Sequence, residues 1–68
     1  MQMQEKIVPI SEGEVVTVQI VSKGVKGDGI AKVKGFTIIV LGAHIIGDTV
    51  QARITRVKDR FAFAEMTD

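Results

Sequence analysis

"TVQARITRVKDRFAFAE", residues 49–65, decides how this chain folds. Side chains alternate faces along a strand, so Val50, Ala52 and Ile54 share one side. The next apolar residue, Val57, falls on the other. One extra residue near Thr55, a β-bulge or sharp coil, restores a single apolar face. Asp59-Arg60 then turns the chain into a further strand, Phe61 to Met66. One face of that strand carries Phe61, Phe63 and Glu65; the other carries Ala62, Ala64 and Met66. Phenylalanine is commonly buried. A buried Glu65, however, pays a desolvation penalty of several kcal/mol unless it is paired. Small residues suit the crowded interior of a small barrel. Pattern alone leaves the two orientations about balanced.

The rest of the chain reads as strands punctuated by glycine. Val15 to Val21 places Val16, Val18 and Ile20 on one face and Thr17 and Gln19 on the other. Gly29 to Lys34 sets Ala31 and Val33 against Ile30, Lys32 and Lys34. Lys34-Gly35 predicts a tight turn, because glycine takes positive φ cheaply. Phe36 to Val40 is a third strand, Thr49 to Lys58 a fourth and Phe61 to Met66 a fifth. Five short strands, one of them bent, predict an all-β fold: a small five-stranded barrel, OB-like or SH3-like. No useful helical periodicity appears. Residues 1–13 read as an N-terminal arm and residues 14–68 as the barrel.

With 68 residues the chain holds one domain at most. A chain this short buries only about 60% of the surface it exposes when unfolded, too little for a deep substrate cleft. It contains no cysteine, which removes disulfides, zinc-thiolate sites and a cysteine nucleophile together. That absence and the lack of an apolar span predict a cytoplasmic protein. The net charge of +1 hides an uneven distribution. Residues 1–20 sum to −2, residues 21–60 to +5 and residues 61–68 to −2. A basic middle is either an ordinary solvated surface or a patch for a polyanion.

Several motifs fail on inspection. Gly24 and Gly29 have the separation of a phosphate loop, but Ile30 and Ala31 stand where Lys and Ser/Thr are required. The dinucleotide pattern begins at Gly27 and Gly29 and then meets Lys32, and no helix follows. This segment reads as a β-loop, from which Lys23 and Lys26 can still touch a ligand's backbone. His44, the only histidine, has no companion ligands at metal-binding spacing. The carboxylates are scattered on turns and ends. The sequence predicts no enzyme, no cofactor and no metal site.

The ordered set Gly27-Asp28-Gly29-Ile30-Ala31, Gly35-Phe36, Val40, Gly42-Ala43, Gly47-Asp48, Val50 and Arg60-Phe61-Ala62-Phe63-Ala64-Glu65 resembles the TRAM domain, in particular its small stand-alone archaeal form. The resemblance covers about Val15 to Glu65. It implies a five-stranded OB-like barrel that binds RNA, including tRNA, and a cold-shock-like RNA chaperone. Carried onto this chain, it makes Phe61 and Phe63 stacking residues, with Phe36 a further candidate and Lys32 a basic contact. The family often has an aromatic where this chain has Ile39, which leaves an apolar contact there. The segment Leu41 to Gly47 lacks the proline common after the third strand and is about one residue longer.

Single-stranded nucleic acid offers base faces and a charged backbone. Aromatic rings stack on any base, and cations release counterions from phosphates. The expected RNA-binding set is therefore Phe61, Phe63, Phe36 and Ile39, with Lys32, Lys34, Arg56, Lys58 and Arg60 on the backbone. Phe36 also fits a core position in line with Ile38 and Val40. The expected partner is unpaired or structured RNA, tRNA or rRNA among them, bound by a monomer without a membrane. Two rivals stand beside this reading: an SH3-like protein-interaction module, and a ribosome-associated component held on a rigid rRNA site.

Overall fold

The computed structural model describes residues 10–43 and 45–67. Their regular structure is all β: β1 (Val15–Gln19), β2 (Ser22–Lys23), β3 (Gly29–Val33), β4 (Phe36–Leu41), β5 (Thr49–Val57) and β6 (Phe61–Met66). The strands form one sheet in the order β1-β5-β6-β4-β3-β2. Neighbours run antiparallel except β4 and β6, which run parallel. Among the described residues no helix is long and apolar enough to cross a membrane.

The OB-like architecture is as expected, with six strands in place of five. The difference lies in the first expected strand, Val15 to Val21, whose apolar alternation is unbroken but whose partners change. Val15 to Gln19 pair with Arg53 to Thr49. Ile20 then donates its N–H to the Asp48 carbonyl and accepts from the Gly47 N–H. Val21 N–H turns to the Ile30 carbonyl at 2.8 Å, and Ser22 and Lys23 pair with Ile30 and Gly29. One bent stretch thus borders both ends of the sheet, and the sheet curls around its inner face.

The predicted phase break is present. The β5–β6 register shifts between Ile54 and Arg56, and Thr55 Oγ1 donates to the Phe63 carbonyl at 3.2 Å. The extra residue lets Ile54 face Ala64 and Val57 face Ala62, so both apolar residues reach the same side. The inner face then repeats a simple order. One row across β3, β4, β6 and β5 is Ala31, Ile38, Ala62 and Val57; the next is Gly29, Val40, Ala64 and Ile54. Small and large residues alternate along each row, which lets neighbouring side chains interdigitate inside a narrow barrel. Ala31, Ile38, Val40, Ala62 and Ala64 are fully buried. Gly29 belongs to this packing, because a Cβ there would stand 2.7 Å from the Ala43 carbonyl oxygen.

The arm expected over residues 1–13 falls largely outside the described residues. Of its described part, Ile10 is buried in the core. Gly13 N–H donates to the Ile54 carbonyl, and Ile54 N–H to the Glu14 carbonyl. The chain is therefore tied to β5 before β1 begins.

The Lys34-Gly35 turn joins β3 to β4 with φ of 49° at Lys34 and 87° at Gly35. Positive φ at both central residues is the signature of a two-residue hairpin turn whose twist matches its strands. Lysine carries a Cβ penalty there that asparagine largely avoids. Lys34→Asn is expected to stabilise the protein by about 0.5–1 kcal/mol and raise the melting temperature by roughly 2–8 °C. A lower melting temperature in a thermal scan contradicts this account of the turn.

Candidate nucleic-acid interface

The inner alternation determines what faces outward. With Ala62 and Ala64 buried, Phe61 and Phe63 stand on the outer side of β6; Phe61 is 36% exposed and Phe63 is half-buried. Their rings meet edge to face, with centroids 5.6 Å apart and planes at 82°. Glu65 is exposed on the same side, as its charge requires.

The pairing register places other side chains beside the rings. Lys32, Thr37 and Phe61 form one outer row across β3, β4 and β6. Ile30, Ile39, Phe63 and Arg56 form the next. The bulge brings Arg56 into this row: without the extra residue, its alternation from Arg53 would send it inward. Leu41, Glu65 and Arg53 make a third row, and Arg53 Nη1 donates to the Gly13 carbonyl at 3.2 Å.

Both hairpins beside the Phe61 row carry cations. Lys34 sits in the β3–β4 turn. Lys58 and Arg60 flank the β5–β6 turn, where Lys58 N–H donates to the Phe61 carbonyl and the Arg60 carbonyl accepts from Thr37 N–H. Lys32, Lys34, Arg56, Lys58 and Arg60 are all exposed. Among the described residues none of these five forms an ion pair. They remain available to an outside anion.

Of the expected residues, the fold gathers Phe61, Phe63, Ile39, Lys32 and Arg56 on one face, with Lys34, Lys58 and Arg60 at its end. Phe36 is different. It pairs with Val33, lies in phase with Ile38 and Val40, and packs half-buried against the core. The strand's alternation puts it on the face opposite the exposed rings, so it does not join their row. His44 lies outside the described residues.

One feature of this face was not foreseen. An open depression of about 320 Å³ lies beside Phe63, lined by Ile30, Ile39, Leu41 and the turn residues Gly24, Val25, Lys26 and Asp28. A signal existed in the sequence: Ile30, Ile39 and Leu41 are apolar residues in phase with the outward side. Among the described residues no group of three or more His, Cys, Asp or Glu side chains could hold a metal ion.

Residues 9–67 match the TRAM domain family model. The chain is 52% identical over 58 residues to an uncharacterized protein of Methanocaldococcus jannaschii, covering 85% of this chain and 74% of that one. It is 51% and 49% identical over 57 residues to the ribosomal RNA large subunit methyltransferases E of Haloarcula marismortui and Natronomonas pharaonis. Those matches cover 84% of this chain but only 21% and 22% of the methyltransferases, so it spans about a fifth of their length. A solution structure of a conserved protein from Methanococcus maripaludis superposes with a TM-score of 0.83 at 39% identity, covering 91% of this chain and 87% of that one. The family match spans all six strands just described, and the chain belongs to the TRAM domain family.

Proposed function

We propose that this protein binds unpaired RNA, without catalysing a reaction, through the outer face of β3, β4, β6 and β5, and acts as an RNA chaperone. The observation that carries this reading is the outward pair Phe61 and Phe63, bordered by exposed cations. Membership of the TRAM family, an RNA-binding module, supports it. So does the presence of a similar segment in ribosomal RNA methyltransferases, where it forms a small part of a longer chain. A structured RNA such as tRNA or rRNA is a target through its unpaired regions. The lack of cysteine suits a cytoplasmic site of action.

The ring geometry bears on mechanism. Two planes at 82° cannot both lie parallel to the bases of one continuous helical stack. A strand whose neighbouring bases have come apart can use both rings; a duplex cannot. Stacking on the rings therefore favours the open form of the RNA and opposes misfolded helices without ATP. The contacts read base faces and phosphates, which every sequence offers.

Salt titration of binding to a short unstructured RNA tests the electrostatic half. If about three of the five cations meet phosphates, the logarithm of affinity falls with that of salt at a slope near −2. Raising salt from 50 to 200 mM then weakens binding roughly 20-fold. A salt-independent affinity removes the backbone role. It favours the peptide-docking alternative, in which the same aromatics bury a protein partner.

A further inference from the structure

We infer that the depression beside Phe63 is a pocket for one extruded RNA base, and that it selects a base bearing an amino group, guanine foremost. This rests on the RNA-binding reading above and adds a selectivity that stacking alone does not give.

The volume of about 320 Å³ is at the low end of ligand sites, enough for one base and its sugar. Its apolar lining comes from two sources. Ile30, Ile39 and Leu41 supply the outer sides of β3 and β4, and Phe63 a ring from β6. Val25 stands at the tip of the β2–β3 turn, 103% exposed. A fully exposed valine contributes nothing to the protein's own packing, but it gains burial when a ring slides between the turn and the sheet.

The turn is preformed. Gly24 N–H donates to the Asp28 carbonyl at 2.9 Å, and Gly27 N–H to the Gly24 carbonyl at 3.0 Å. An ordered turn spends less entropy on closing over a ligand than a loose one.

The two charged residues of the lining are complementary to a nucleotide. Lys26 offers a cation for the adjoining phosphate. Asp28, half-buried, offers a carboxylate, which only accepts hydrogen bonds when ionised. Guanine presents two adjacent donors, its ring N–H and its amino group, matching the two carboxylate oxygens. Cytosine and adenine each present one amino group. Uracil presents a single N–H between two carbonyls, and these oxygens repel a carboxylate. Unpaired RNA is commonly read in this way, by hydrogen bonds to base edges combined with stacking.

The test uses the full chain and four fluorescent ten-nucleotide RNAs: oligouridine, and the same oligomer with one central guanosine, cytidine or adenosine. Anisotropy is expected to show the guanosine oligomer binding roughly five- to tenfold tighter than oligouridine, with cytidine and adenosine between them. Asp28→Asn should bring all four within twofold of one another. Oligouridine binding should stay the same or strengthen, because a negative charge is lost. Amide resonances of Val25 to Asp28 should shift with the guanosine oligomer far more than with oligouridine. Equal affinities in the wild type overturn the pocket, as does a preference that survives Asp28→Asn. Shifts at Phe61 and Lys32 with none at Val25 to Asp28 also overturn it, leaving the depression to another occupant such as a peptide. These three outcomes leave the RNA-binding reading intact. Failure to bind any of the four oligomers at low salt overturns both.

Discussion

Replacing Phe61 and Phe63 together by alanine is expected to lower affinity for unstructured RNA by about a hundredfold or more, at roughly 1–3 kcal/mol for each stacked base. The fold should survive. Both rings lie outside the inner rows, and the edge-to-face pair itself is worth roughly 0.5–1.5 kcal/mol beyond its buried area. A domain of this size holds on the order of 3–10 kcal/mol by the usual per-residue norm. The double variant should therefore melt cooperatively at a somewhat lower temperature. Phe61→Leu with Phe63→Leu separates ring from bulk: apolar volume is largely kept while the flat face is lost. Binding should fall almost as far as with alanine. If the leucine variant binds like the wild type, the rings act as generic apolar contacts and the stacking account is wrong.

The second large effect lies one residue away and has the opposite character. Ala64→Phe is expected to destabilise the protein by about 3 kcal/mol or more, because extra bulk in a packed interior forces strain on its neighbours. Ala64 is fully buried, between Val40 and Ile54 in a row that alternates small and large. It has no solvent side into which a ring can turn. For a chain of this size the melting temperature should fall on the order of 10–25 °C. Ala64→Gly, which adds no volume, should do far less. The two predictions check the same assignment from opposite sides. Tolerance of phenylalanine at 64, with unfolding on truncation at 63, would mean that the faces of β6 are reversed.

That assignment shows how far the sequence reached: pattern alone left the faces of β6 about balanced, and burial of Ala62 and Ala64 decides between them. The face of β6 could be argued from Glu65 and the alanines, and its ends, Phe61 and Met66, match the strand that forms. The bulge near Thr55 could be argued from the misplaced phase of Val57. Both are local statements, since alternation within a strand depends on nothing distant. The split of Val15 to Val21 into two pairing partners was not legible, because no local pattern records which edge a residue bonds to. Ile10 was hidden for a similar reason: the short run Ile7-Val8-Pro9-Ile10 shows no alternation that marks a buried side, and Ile10 reveals its burial only once the core has formed. Phe36 had a local answer, its phase with Ile38 and Val40, and the structure follows that phase. The depression combines a turn with three strands, and concavity of this kind exists only in the folded chain. Its apolar outward residues were visible; their convergence was not.

The stretch that borders both ends of the sheet bears on how the protein is made. Synthesis delivers the N-terminal side first and domains fold as units, yet β1 pairs only with β5, and its nearest partners, Gln19 and Thr49, are thirty positions apart. The β3–β4 hairpin is local and can form early. The free edge of β4 waits for β6, the last strand. A half-emerged chain therefore carries unpaired edges at both β1 and β4, and such edges recruit other chains. The sheet is continuous only when β6 fills the place between β5 and β4, so a pause in translation before β6 emerges is expected to leave the β4 edge open to other chains.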